Sequence, residues 1–233
     1  MSSRVAYNTD FVEFTKSVAW FTKSSDKLEF LRAEVEFPLT ERFKHTFPVL
    51  SSLIKKARLV NLTINSQPYR LFSWTNKHEV SCGWLTKIEA LSDHPYDLID
   101  EHKLLLSEIG GIQESYNQPE PSLCNNQNFL FIKSQCTKGL SGWEAYYREM
   151  CAESGYIEID YSELICFVQE VNGNLTLYNP DTKKVILFAP DHCFNSVEFM
   201  KNQPEYTFHT INGIITFTDY VEALAEEWIN EIN

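Results

Sequence analysis

Apolar residues recur along this chain at spacings that switch between helical and strand periods. Phe11, Phe14, Val18 and Phe21 follow Asn8 and Thr9, either of which can cap, so the spacing predicts an amphipathic helix over 10–22. The segment PLTERFKHTFPVLSSLIKKARL (38–59) reads as helix, interrupted at Pro48, which can open a second helix at its first turn. ARLVNLTI and PYRLFSWT are β-branched and aromatic runs joined by NSQP, the pattern of a hairpin, and CGWLTKIEAL can add a third strand.

YDLIDEHKLLLSEIGG (96–111) predicts a helix with inward leucines, ending at Gly110-Gly111, where glycine can take the left-handed conformation. QNFLFIKS reads as a strand and SGWEAYYREMCAES as a helix capped by Ser141. ELICFVQE, NLTLYN and VILFAP then predict a three-stranded meander over 164–190. Its first turn is Asn172-Gly173, a pair suited to positive φ at both central positions of a tight hairpin. Val221, Leu224, Ala225, Trp228 and Ile232 make the apolar stripe of a closing helix, with Thr218 as its expected cap and Glu222, Glu226 and Glu231 away from the stripe. The fold class expected is α+β, with a mixed, largely antiparallel sheet and flanking helices.

SDHPYDL (92–98) is the expected boundary. It separates an N-terminal helical and hairpin region, 1–90, which can belong to the same globule, from an α+β domain over 91–233. Charge changes sign there. Residues 1–90 hold 13 Lys and Arg against 9 Asp and Glu, whereas residues 91–233 hold 7 against 23, a balance of −16. That field disfavours nucleic acid as a partner; it either favours a basic protein or serves solubility alone. Neither a signal-like start nor an apolar run of about 20 residues is present, so a cytoplasmic protein without membrane association is expected. The six cysteines include no C-x-x-C and read as reduced thiols, with Cys136, Cys166 and Cys193 in the core.

The chemistry-bearing residues do not assemble into a recognisable reactive set. None of the eight glycines forms a phosphate cradle, and no nucleophile elbow occurs. Asp191, His192 and Cys193 are consecutive and His209 follows, but adjacent residues of an extended chain point in alternate directions, so no metal site is expected. The polar segment GGIQESYNQPEPSLCNNQN either offers Glu114, Tyr116 and Asn117 as partner-binding residues on a loop or is an ordered loop whose amides satisfy their own backbone. Glu144, Glu149 and Glu153 are either a solvated helix face or an acidic docking surface.

One resemblance organises these elements. An acidic helix running into a glycine stop (LLLSEIGG) is followed by LICFVQEVNGNLTLYN, by VILFAPDH and by the closing FTDYVEALAEE. This order, over residues 91–233, resembles the SUKH superfamily, known for bacterial immunity proteins and fungal regulators. The chain departs from the family pattern at His94-Pro95, where Leu-Pro is usual, and at ESYNQPEPS. The resemblance implies a helix-flanked α+β sheet and a non-enzymatic role, with no cofactor. Immunity members bind and block a toxin, often a basic nuclease. The function expected is therefore that of a protein-binding module that neutralises a basic toxin. The alternatives are an enzyme using His192 or His209 with nearby carboxylates, and a regulatory scaffold.

Overall fold

The computed structural model describes residues 3–31, 37–92, 95–120, 122–124, 127–191 and 196–232, with side chains from residue 9 onward. The fold is α+β, and its centre is one sheet. The strands are β1 (Leu28–Phe30), β2 (Arg58–Ile64), β3 (Gln67–Thr75), β4 (Ser81–Lys87), β5 (Gly111–Tyr116), β6 (Gln127–Leu130), β7 (Thr137–Lys138), β8 (Ile165–Glu170), β9 (Leu175–Tyr178), β10 (Val185–Phe188), β11 (Val197–Phe199) and β12 (Phe208–Ile211). The order is β1-β2-β3-β4-β5-β6-β8-β9-β10-β12-β11, with β7 collinear with β6 on the edge of β8. Every named strand pairing is antiparallel. The helices are α1 (Ser3–Ser17), α2 (Glu41–Thr46), α3 (Pro48–Lys55), α4 (Asp100–Glu108), α5 (Glu144–Ser154) and α6 (Phe217–Glu231). None among the described residues is long and apolar enough to cross a membrane.

Both faces of the sheet are covered, so alternate residues of one strand enter different cores. In β3, Phe72 and Trp74 join the core under α2, α3, α4 and α6, while Leu71 packs with Phe11, Phe14 and Val18 at α1. In β9, Tyr178 belongs to the first core, and Leu175 and Leu177 pack instead with Tyr147 and Cys151 of α5. Thus α1 and α5 lie on the face opposite α6, against different strands. The sheet runs unbroken across residue 90, because β4 pairs with β5 from Gly83↔Tyr116 to Lys87↔Gly111. The sign change of charge and Pro95 therefore mark a connection within the sheet.

Local chemistry explains most element ends. Pro48 does open α3 at its first turn. The β2–β3 turn consists of Asn65 and Ser66, both at positive φ, as a two-residue hairpin needs. Gly110, at φ +87°, ends the α4 segment, and a Cβ there would stand 2.5 Å from the Lys87 carbonyl oxygen. The 164–190 meander forms as β8-β9-β10.

Several boundaries differ from the sequence pattern. The first helix runs Ser3–Ser17, not 10–22, and Val18 to Phe21 form a turn. The cap of α6 is Thr216, not Thr218. Its hydroxyl accepts from Asp219 N–H while the Asp219 carboxylate accepts from Thr216 N–H, satisfying two donors at once. Ser141 does not cap α5. It sits at φ 52° beside Thr137, and Trp143 occupies the cap position. The Asn172-Gly173 reversal is a longer turn than the tight pair expected. Gly173 N–H donates to Glu170 O, Glu170 N–H donates to Asn174 O, and only Gly173 has positive φ.

Trp228 is 2 % exposed, with its ring tilted against Trp74 at 5.5 Å and edge-on to Trp84 at 5.2 Å. Its truncation removes a ring contacted from β3 and β4. Trp228→Ala is expected to lower unfolding free energy by about 3–5 kcal/mol, read from the denaturant midpoint at constant m.

Candidate functional site

The residues expected to bind a partner separate into two groups. Tyr116 is 1 % exposed, because β5 pairs with β4 and turns its ring over Gly83 and against Phe14, at 5.7 Å. Its hydroxyl donates to Ser73 Oγ at 2.9 Å and stands 2.9 Å from Ser81 Oγ, which donates to Asp10. Arg58 holds Asp10 with two bonds of 2.7 and 2.8 Å. Tyr116 thus completes the network that fastens α1 to the sheet, and it has no surface to offer a partner. The segment read as a loop begins as strand, since residues 111–116 have two neighbours to pair with.

Glu114 is half-buried on β5, where burial pushes its carboxyl up against opposing hydrogen bonds from Ser115 N–H and the Trp20 indole. Asn117 is exposed at φ 47°; its amide donates to Ser81 O and its oxygen accepts from Ser17 Oγ. It borders a cavity of about 260 Å³ that also touches His78, Cys82, Glu120, Trp228 and Glu231. The one thiol there is no activated nucleophile, because burial pushes Cys82 up to about 12.

Glu144, Glu149 and Glu153 form the second group, on α5. Glu144 lies in the first turn, where its carboxylate accepts from Leu140 N–H at 3.2 Å, while Glu149 and Glu153 are exposed. Glu114 lies on β5, next but one to Tyr116 of the α1 cluster, whereas α5 packs over residues of β6, β8, β9 and β10.

The structure adds to α5 a set that the sequence pattern did not mark. Tyr147 is fully buried, and its hydroxyl accepts from Ile159 N–H at 2.8 Å while donating to Gln203 Oε1. Gln203 in turn donates to Ile157 O at 3.2 Å, and Tyr146 donates to Tyr206 O at 3.3 Å. These bonds tie residues 156–160 and 202–206 to the flank of α5. Ile157 is left 89 % exposed, with Tyr156 and Tyr206 also open to solvent. Residues 144–163, which include Tyr156 and Ile157, hold Glu144, Glu149, Glu153, Glu158, Asp160 and Glu163 against Arg148 alone. Among the described residues Arg148 reaches only Glu158, at 3.9 Å. The alternation in GYIEIDY resembles a strand, which is why sequence pattern conceals this surface.

Among the described residues no three His, Cys, Asp or Glu side chains converge as a metal set. His192 and Cys193 lie outside the described residues, and Asp191 is exposed. His209 is 1 % exposed on β12, with Nδ1 3.0 Å from Thr207 O and its ring against Phe199. Burial holds its pKa below the ordinary 6.5. The folded state therefore prefers neutral imidazole. The stability this contributes is complete above pH 6.5 and is lost as pH falls through the lowered value. Unfolding midpoints measured from pH 7 to about 5 are expected to fall less steeply in His209→Asn than in the parent.

The described cysteines are all buried, with Cys166 pushed up to about 12 by burial, although Cys136 lies between a 3-10 turn and β7 and not in a strand. Native protein should label at these positions only on the timescale of opening, and fully in denaturant, when followed with a chromogenic thiol reagent.

No protein-family model matches the chain, and neither a curated protein nor a solved structure matches it.

Proposed function

We propose that the chain is a non-enzymatic protein-binding module of the immunity type, which neutralises a basic, toxin-like protein by occupying its surface. The observation that carries this reading is the α5 flank, where Ile157 stands 89 % exposed within an excess of acidic side chains. Lone apolar side chains are ordinary on protein surfaces. Here the exposed Tyr156 and Ile157 are adjacent in the chain and the buried Tyr147–Gln203 pair holds the Ile157 carbonyl, so ordering the site on binding costs little entropy. Apolar anchors within a charged rim are the usual anatomy of a protein interface. The SUKH-like order of elements over 91–233 and the −16 balance of that portion support the same reading. Neutralisation by coverage uses none of the buried thiols or His209.

The charges steer encounter and Ile157 sets residence time. With the partner recovered by native pull-down, Glu149→Lys/Glu153→Lys/Glu158→Lys is expected to slow association at least tenfold at low salt. Ile157→Ala is expected mainly to speed dissociation. Surface plasmon resonance at two ionic strengths separates the two effects. Unchanged kinetics in both variants would place the interface elsewhere. Turnover of a small molecule by the parent protein, abolished with His192→Ala, would favour the enzyme alternative.

A further inference from the structure

One edge of the sheet carries a pattern that a second copy of this chain would satisfy. Strand β1 pairs with β2 in the register Leu28↔Ile64, Glu29↔Thr63 and Phe30↔Leu62. Lys27 O accepts from Asn65 N–H, and Leu31 N–H donates to Asn61 O. Hydrogen-bonded pairs alternate along an antiparallel ladder. Residues 27, 29 and 31 therefore direct their backbone groups to β2, and Leu28 and Phe30 direct theirs outward. No described residue pairs with that outer edge.

Edges of this kind are usually blunted by shortness, charged side chains, proline or a bulge. Strand β1 is short and carries Glu29, with Lys27 just before it, but those two charges are of opposite sign and can complement a second copy. Here Leu28, Phe30 and Leu31 are 37 %, 49 % and 51 % exposed, and Phe30 is held edge-on against Phe11 at 5.1 Å. We propose that β1 pairs antiparallel with β1 of a second copy about a two-fold axis at Leu28, joining two sheets into one.

Charge selects this partner and this register. An axis at Leu28 sets Leu28 opposite its own copy, with a pair of N–H···O bonds between them. It also sets Lys27 opposite Glu29 of the second copy, twice, in closely approaching non-hydrogen-bonded positions. An axis at Glu29 would satisfy the ladder equally well but would oppose Glu29 to itself, and like charges directly opposite repel. The other edge offers no such match. Met200 N–H donates to Phe208 O and Asn212 N–H to Ser196 O, so Val197 and Phe199 face outward on β11. Axes at those residues oppose Glu198 to Ser196 or to Met200, with no pair of opposite charges. A β1-to-β11 contact is heterologous and would propagate into filaments, whereas β1-to-β1 closes.

Few residues meet on each side, so the dimer is weak and is populated only at high protein concentration. The test is sedimentation velocity on the full chain from about 1 to 500 µM. The weight-average mass of the parent is expected to rise towards twice that of the chain. Lys27→Glu and Glu29→Lys are each expected to weaken association at least tenfold, and the double swap is expected to restore it to within about threefold. Leu28→Pro leaves the β1–β2 ladder intact, because the amide it removes points outward, and is expected to abolish the dimer with circular dichroism unchanged. A parent that stays monomeric throughout, a dimer indifferent to both single swaps, or a double swap that fails to restore it would each overturn the proposal.

Discussion

The fold depends on three tryptophans, two on consecutive strands and one more than a hundred residues further along the chain. Trp74 and Trp84 lie on neighbouring strands 5.1 Å apart, and Trp228 of α6 closes on both. Trp74 also donates its indole N–H to Leu53 O at 2.9 Å, so the same cluster holds the end of α3. Burying such rings supplies a large apolar stabilisation, and a satisfied indole avoids the penalty of an unpaired donor. The cluster brings the last helix of the chain onto strands formed within its first ninety residues. A second aromatic group surrounds His102, which stacks on Phe217 at 4.9 Å and lies 2.8 Å from Phe131 O through Nε2. Together they make one core from both ends of the chain.

Once α6 is fixed, its acidic residues take on different tasks. Glu222 accepts from the N–H groups of Val49 and Leu50 at 2.8 and 3.1 Å, which satisfies the open start of α3. Burial raises its pKa, against the pull of those two bonds. Glu227 does the same for Leu123 N–H and Ser122 Oγ. Of the three, Glu226 is exposed, whereas Glu222 and Glu227 are half-buried. Carboxylates that count equally in a charge total are thus divided between internal fastening and external field. The exposed excess gathers instead on the α5 flank, where the local backbone is fixed by Tyr147 and Gln203 and where Ile157 has no neighbour to cover it.

A sheet covered on both faces also decides which polar residues remain available. Tyr116 and Asn117 are neighbours, yet strand alternation and the Asp10–Arg58 network bury the first while the turn after β5 exposes the second. The same alternation puts Phe199 on the face of His209 and Met200 on the face of α5.

The sequence by itself determined the elements whose cause is local. Periodicity placed the α4 and α6 helices and the β8-β9-β10 meander, Pro48 divided α2 from α3, and Gly110 stopped α4, because each signal acts within a few residues. Charge counting likewise located the acidic portion of the chain. Local reading erred by small offsets where two caps compete, as at Thr216 and Thr218, or where turn length depends on the closing pair, as at Asn172-Gly173. Only the tertiary structure decided that residues 1–90 and 91–233 share a sheet, that Tyr116 is internal, and that Ile157 is bare. Those outcomes rest on pairing between β4 and β5, on helix-to-sheet packing across more than a hundred residues, and on one buried hydroxyl bridging Ile159 and Gln203. Such contacts leave no periodic trace, because exposure belongs to the neighbours a side chain acquires and not to the side chain itself.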